Sequence, residues 1–252
     1  IHHLRMLRQF ELNGDKELFE KAIETKGLEL DVIRGADATI VVSEFEVSYL
    51  NEEIGPFASL VIPLIYEPFE RTIGFEQRAD IAFVGGYRHP PNIDAVKWLV
   101  EDIWPLMRQY NIGAKLHIIG SHMPADFQDY SDTDIEVVGF VEDLESYLSR
   151  IKLTVAPLRY GAGVKGKVGN SLRMGVPVVG TSIATEGMGL KSGEHVLAAN
   201  TADQLARSMA QVYTDAELWQ SLSTSGQARV LEQFGMDAAK SKLDFLVRSL
   251  IK

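Results

Sequence analysis

Hydrophobic positions change rhythm along this chain, and the changes divide it. In the opening stretch Leu4, Leu7 and Phe10 fall at helical spacing. In DKELFEKAIETKGLELDVIRGA (15–36), Leu18, Ile23, Leu30 and Ile33 recur among charges, so a second helix is predicted. ATIVVSEFEVSYL predicts a strand over 38–42 running into Ser43, the N-cap of a short helix. ASLVIPLIYEP predicts another strand, over 58–62, that ends at Pro63. Residues 63–79 lack any period and include two prolines, which predicts a hinge or linker.

From Asp80 the rhythm is regular. Short apolar runs at 81–85, 115–119, 135–138, 153–157, 177–180 and 195–198 read as strands. Helical patterns lie between them, the clearest over 92–110, where Ile93, Val96, Val100, Ile103 and Met107 line one face. Three helical segments (201–213, 215–233 and 237–251) close the chain. Nearly all-apolar strands alternating with helices predict an α/β fold with a Rossmann-like, doubly wound parallel sheet. Such sheets bind ligands outside the carboxyl ends of their strands. The informative loops are therefore GGYRHPPN (85–92), GSHMP (120–124), GFVED (139–143), LRYGAGVKGK (158–167) and TSIATEGMG (181–189).

One of these loops carries a contradiction. In GAGVKGKVGNSLRMGVPVVGT (161–181), Val164, Val168 and Leu172 recur at fours and predict an amphipathic helix, yet Lys165 and Lys167 crowd its first turn. That end of the macrodipole favours a carboxylate by roughly 0.3–1 kcal/mol, so a negative ligand is expected there. Glycines that let backbone N–H groups approach, together with a helix N-terminus, make an anion site. The plainer reading is two solvated surface lysines beside a tight turn.

Composition sharpens this picture. The 252 residues are 46% hydrophobic and 24% charged, ordinary values for a globular protein. A net charge of −10 argues against a nucleic-acid partner and makes the cluster of Arg159, Lys165, Lys167 and Arg173 more noticeable. With no cysteine, disulfides and thiolate metal sites are excluded. No apolar run approaches the ~20 residues a membrane span needs, and no signal peptide opens the chain.

Other chemistries fail on particular residues. GAGVKGKV has the spacing of a phosphate-binding P-loop, but Val168 replaces the Ser or Thr that would hold Mg²⁺. FVGGYRHPPN is no dinucleotide fingerprint; Asn92 or the prolines start a helix, and Arg88 reads as a surface residue. The six histidines show no metal-ligand spacing, and no Gly-x-Ser-x-Gly elbow exists. Glu186 lies on a ligand-side loop, where it would accept from sugar hydroxyls or cap a short helix; His195 opens an apolar strand and reads as structural.

Taken together, FVGGYRHPPNIDAVKWL, VVGFVEDL, VAPLRYGAGVKGKVGNSLRMGVPVVGTSIATEGM and SGEHVLAA resemble the donor-binding half of family 4 (group 1) glycosyltransferases, across residues 80–251. ADATIVVSEFEVSYL resembles the end of that family's acceptor-binding half. The resemblance implies a GT-B fold: a partial N-terminal, acceptor-side domain over 1–66, a linker over 67–79 and a nucleotide-sugar-binding domain over 80–252, with the final helix returning to the first domain. It implies a cytoplasmic, retaining transferase that takes a nucleotide sugar as substrate and needs no metal or other cofactor. Its partners would be the nucleotide sugar and a carbohydrate, lipid-linked or protein acceptor, with peripheral membrane association through an upstream part.

Residue by residue, the resemblance places the donor diphosphate on Lys165 and Lys167 with help from Arg88. Gly161, Ala162 and Gly163 would approach the sugar, and Gly139, Phe140 and Val141 would border the nucleobase. Many members carry Glu, seven residues, Glu around this loop, the first touching the sugar and the second the ribose. Here those positions are Ala162 and Asn170. Asn170 still offers a ribose hydrogen bonds, but without the charge that strengthens them about twofold. The implied mechanism is electrostatic stabilisation of the leaving nucleoside diphosphate. No catalytic residue is assigned; His2 and His3 are acceptor-side bases by chemistry alone.

Two rivals stay open. A nucleotide-sugar epimerase of the same architecture would need a histidine and carboxylates in the cleft, for which the loops offer Glu186, Asp143 and Glu142. A binding module without transferase activity is favoured by Ala162 and Asn170. The start IHHLRMLRQFEL, without Met and at helical spacing, reads as a fragment of a longer protein, although N-terminal processing gives the same start. Two strands before the linker are too few for a Rossmann-like domain, so this chain is expected to bind donor without transferring it.

Overall fold

A computed structural model describes residues 1–250. Helices α1 (His2–Asn13) and α2 (Lys16–Gly35) open the chain, followed by β1 (Thr39–Val41), α3 (Glu44–Ile54) and β2 (Ser59–Val61). Asp15 caps α2 by accepting from the N–H groups of Glu17 and Leu18, and Ser43 caps α3 by accepting from that of Glu46. Helix α1 has no side-chain cap of its own. Glu29 on α2 takes that place, accepting from the N–H groups of His2 and His3 at 2.8 and 3.0 Å. Strands β1 and β2 pair in parallel as a separate two-stranded sheet.

The regular part comprises β3 (Ala79–Val84), α4 (Pro90–Trp98), α5 (Trp104–Arg108), β4 (Leu116–Ile119), β5 (Ile135–Gly139), α6 (Leu144–Ser149), β6 (Ile151–Ala156), α7 (Gly166–Arg173), β7 (Val178–Gly180), α8 (Ser182–Thr185) and β8 (Leu197–Ala198). Its six strands form one all-parallel sheet in the order β5-β4-β3-β6-β7-β8. The chain starts in the middle, steps out to one edge, then crosses back beside its first strand. The topological switch point lies between β3 and β6, and the loops after those strands flank it. Helices α9 (Ala202–Thr214), α10 (Ala216–Phe234) and α11 (Met236–Leu250) follow.

Burial on both faces explains the apolar strands. Ile81 and Phe83 join Trp104, Leu116, Leu153 and Trp219 in the larger core, while the intervening Ala82 joins Ile119, Leu148 and Met174 in a smaller one. A third, small cluster of Leu30, Val41 and Leu50 holds the N-terminal part. Helix α11 packs against β2, and the N–H of Tyr66 donates to the Phe234 carbonyl at 2.7 Å, so the end of the chain returns to its beginning.

Three expectations need correction. The single helix predicted over 92–110 is interrupted: α4 gives way to a wide π-type turn, Leu99–Ile103, before α5. Pro105 has no N–H to donate to the turn before it, and the backbone widens just upstream. The helix read into 161–181 begins only at Gly166, because Gly161 and Gly163 take φ of 155° and 70°. Val164 therefore precedes the helix, and only Val168 and Leu172 of the expected triad are fully buried. The last strand is shorter than 195–198, Leu197–Ala198 alone. The predicted segment 237–251 ends one residue outside the described ones. No described helix is long and apolar enough to cross a membrane.

Candidate functional site

The loops leaving β3 and β6 meet at the switch point, and α7 starts between them. Lys167, in the first turn of α7, points back toward the sheet end. Its ammonium donates to Asn92 Oδ1 at 2.5 Å and lies 4.2 Å from the Phe83 ring centroid. Burial, and then the charge of Lys165, push its pKa down to about 7. Lys165 precedes the helix, and its ammonium donates to the Gly163 carbonyl at 2.5 Å. Burial pulls its pKa to about 8, with Glu186 and Glu46 opposing and Arg8 assisting. Neither ammonium is ion-paired among the described residues.

Asn92 does more than start a helix. Its Nδ2 donates to the Gly86 carbonyl at 2.8 Å while its Oδ1 receives Lys167, so one buried amide ties the β3 loop to the α7 lysine. This side chain orients the lysine without neutralising it.

Helix α1 supplies the facing wall. Arg8 reaches Glu186 with both terminal nitrogens, at 2.8 and 2.7 Å, and donates to the Gly161 carbonyl at 2.7 Å. Glu46 on α3 is buried, accepts from the Val42 N–H at 2.8 Å and faces Gly163. A Cβ on Gly163 would sit 3.1 Å from Glu46 Oε1, and the φ of +70° there disfavours any side chain.

The structure brings some predicted residues together and separates others. Lys165, Lys167, Gly161, Ala162, Gly163 and Glu186 share one loop region, but Arg8 occupies both Glu186 oxygens and the Gly161 carbonyl. Glu186 follows the C-terminus of α8 and caps no helix start; Thr181 does that. Asn170 Oδ1 accepts from Arg173 Nε at 2.8 Å, and Arg173 also pairs with Glu145. Its carbonyl oxygen is thus engaged by a neighbouring side chain. Arg88 is exposed and makes no hydrogen bond or ion pair among the described residues. The adjacent His89, not Arg88, is turned toward Arg5, and both lysines act on its charge. Gly139 (φ 80°), Phe140 and Val141 form the mouth of β5, with the Phe140 side chain 73% exposed.

The cluster of four cations disperses. Arg159 pairs with Asp94 and lies over Trp98, and Arg173 is taken by Glu145, which leaves the two lysines. His195 is structural as expected, buried and accepting from the Lys191 N–H at 3.0 Å. His3 is buried too, with Nδ1 on Glu29 at 2.5 Å and Nε2 on Tyr49 at 2.8 Å, so neither nitrogen is available to a substrate. Sequence reading missed Arg5, Arg8, Glu46, His89 and the bridging role of Asn92. Arg8 and Glu46 lie more than a hundred residues from the loop they face, and Arg5 lies 84 residues from His89, and no local pattern signals that.

Comparisons with known proteins agree on the family and the fold. The family model for glycosyl transferases group 1 matches residues 78–215. A Klebsiella pneumoniae protein described as an "Uncharacterized 44.6 kDa protein in cps region" is 26% identical over 179 residues, 68% of this chain and 45% of that protein. S. aureus TarM, solved with Fondaparinux, alpha-GlcNAc-glycerol and UDP, superposes with a TM-score of 0.77 at 16% identity, over 93% of this chain and 48% of TarM. Sucrose-phosphate synthase from Thermosynechococcus elongatus gives 0.75 at 18%, over 99% of this chain and 66% of that one. Anabaena HepE, solved with UDP and glucose, gives 0.65 at 12%, over 86% of this chain and 66% of HepE. The chain spans between about half and two thirds of the length of these relatives.

Proposed function

The chain belongs to the group 1 glycosyl transferases, and from that premise we propose that it forms the donor-binding part of a retaining transferase that uses a nucleotide sugar. The observation that carries this reading is the lysine pair at the sheet's switch point: two desolvated ammoniums that form no ion pair among the described residues, beside a helix N-terminus. A diphosphate satisfies every part of that arrangement. It restores the charge burial suppresses, accepts charge-assisted hydrogen bonds and lies at the positive end of α7. Because the lysines neutralise it, no metal is required in this proposal. As the glycosidic bond breaks, charge grows on the leaving diphosphate, and fixed cations stabilise that state more than the ground state.

The remaining assignments follow the loops. The sugar lies along Gly161–Gly163 beside Glu186, the ribose near Asn170, and the base on the Gly139–Val141 loop with Phe140. UDP in the TarM and HepE structures supports a nucleotide-sugar donor, and TarM's alpha-GlcNAc-glycerol supports a hydroxylated, carbohydrate-bearing acceptor. Lipid-linked and protein acceptors fit the same chemistry. The cps-region description of the K. pneumoniae relative supports polysaccharide or glycoconjugate biosynthesis.

A second reading, a module that binds donor without transferring it, is favoured by Ala162, which brings no polar side chain, and by the engagement of Asn170 with Arg173. The epimerase reading draws less support, since Glu186 is held by Arg8 and Asp143 caps α6. Calorimetry with UDP, GDP, dTDP, CMP and ADP tests donor binding on the purified chain. A radiolabelled donor then reads transfer, and product analysis without acceptor reads epimerisation. Binding of at least one nucleoside diphosphate is expected; binding of none overturns the proposal.

A further inference from the structure

Among the described residues the cleft holds a third cationic group without a carboxylate partner, which the donor reading leaves unexplained. Arg5 projects from α1 with Nη1 at 3.2 Å from His89 Nε2 and Nη2 bonded to His2 Nε2. Among the described residues it has no carboxylate partner. The nearby acids are already engaged: Glu29 by His3 and the α1 N-terminus, Glu186 by Arg8, Asp94 by Arg159, and Glu46 by the Val42 N–H. His89 precedes α4 and its ring caps nothing. The charges that act on it most strongly are the cations Arg5, Lys167 and Lys165. Burial first, and then those cations, hold its imidazole below the ordinary range.

A guanidinium spends its donors poorly on two neutral imidazoles, because its planar fork matches a carboxylate or phosphate with two parallel hydrogen bonds. In a chain with 35 acidic and 25 basic residues, a cleft that gathers Arg5, His2, His89, Lys165 and Lys167, while its acids Glu186 and Glu46 are held by Arg8 and the Val42 N–H, is a departure from the average surface. We propose that Arg5 and His89, with His2, form a second anion subsite on the α1 wall of the cleft, built for a phosphate group. This rests on the cleft reading above, but uses none of its lysines. The phosphate comes either from the donor, as its distal phosphate, or from an acceptor that carries one.

Calorimetry on the full chain separates these sources, with Arg5→Gln and His89→Gln compared with the unsubstituted protein. UDP, UMP, glycerol 1-phosphate and inorganic phosphate are the probes. If the donor's distal phosphate is held, Arg5→Gln weakens UDP about tenfold or more, the scale of a hydrogen bond to a charged group, and leaves UMP within about twofold. If the acceptor's phosphate is held, UDP is unchanged, but glycerol 1-phosphate titrated into the UDP-saturated chain binds the unsubstituted protein and not Arg5→Gln. Should UDP fail to bind at all, the donor reading falls, and saturable inorganic phosphate binding lost in Arg5→Gln still supports the subsite. His89→Gln, at an exposed loop position, must weaken the same probe, and it decides the outcome if Arg5→Gln unfolds. Probe affinities that neither substitution changes overturn the proposal.

Discussion

Arg8 on one wall of the cleft and the lysine pair on the other handle buried charge in opposite ways. On the α7 side, Lys165 and Lys167 are desolvated and rely on a backbone carbonyl and an amide oxygen. On the α1 side, Arg8 is satisfied by both oxygens of Glu186, and His3 by Glu29 and Tyr49, whereas Arg5 has no carboxylate among the described residues. A paired buried charge mostly holds geometry, and losing one partner strands the other. An unpaired one lowers the stability of the free protein and gains when an opposite charge arrives. The first arrangement suits a scaffold, the second a binding site.

Removing the lysines should show the largest contrast. Lys165→Ala with Lys167→Ala is expected to weaken nucleoside-diphosphate binding by several kcal/mol together, since hydrogen bonds to charged groups contribute about 1.5–3 kcal/mol each. Thermal stability without ligand should hold or rise, because two cations leave a positive helix end. Unchanged affinity in calorimetry would remove the phosphate assignment. On the facing wall the sign reverses. Arg8→Ala should destabilise the chain by about 1–3 kcal/mol in urea unfolding, between the values for exposed and buried pairs. A neutral result would show that the Arg8–Glu186 bridge holds nothing.

Packing behind α7 offers a contrast of similar size. A Cβ on Gly169 would lie 2.3 to 2.5 Å from the Tyr66 ring and hydroxyl, whereas one on Gly166 has its nearest neighbour at 3.9 Å. Gly169→Ala should therefore cost about 1–3 kcal/mol by overpacking, and Gly166→Ala little. Equal melting temperatures for the two variants would place Tyr66 elsewhere.

The pH dependence sharpens the comparison further. Lys167 titrates near 7 in the fold against an ordinary 10.5. Between those values the unfolded chain binds more protons than the folded one, so ligand-free stability should rise with pH across that window. A diphosphate restores the ammonium and takes up protons, so its affinity should fall as pH climbs past 7. Calorimetry in buffers of different ionisation enthalpy reads that uptake directly; zero uptake at pH 8 contradicts a depressed lysine. The smallest effect concerns Asn170. Asn170→Glu should tighten ribonucleotides more than 2′-deoxynucleotides if that position meets the ribose, and equal effects on both would show that it faces Arg173 alone.

Much of this was readable along the chain because the signals were local. Alternating apolar strands and helices, Ser43 as a cap and the glycines around Lys165 each act within a few residues, and each is found close to its expected place. The interrupted helix shows the limit even there. Its apolar spacing was correct, but Pro105 changed the hydrogen-bond register that the spacing presupposed.

What the sequence determined by itself was the period of burial, the parallel α/β architecture and the family, together with the lysine loop, since backbone propensity, side-chain period and motif spacing are all short-range. Tertiary structure alone decided which charges would be neutralised. Arg159, Arg173 and Lys167 look alike as a list of cations, but folding puts Asp94 beside the first, Glu145 beside the second and only Asn92 beside the third. Arg8 and Glu186 are 178 residues apart and meet at 2.7 Å. Coulomb energy depends on distance through space and on the surrounding dielectric, and chain position carries neither.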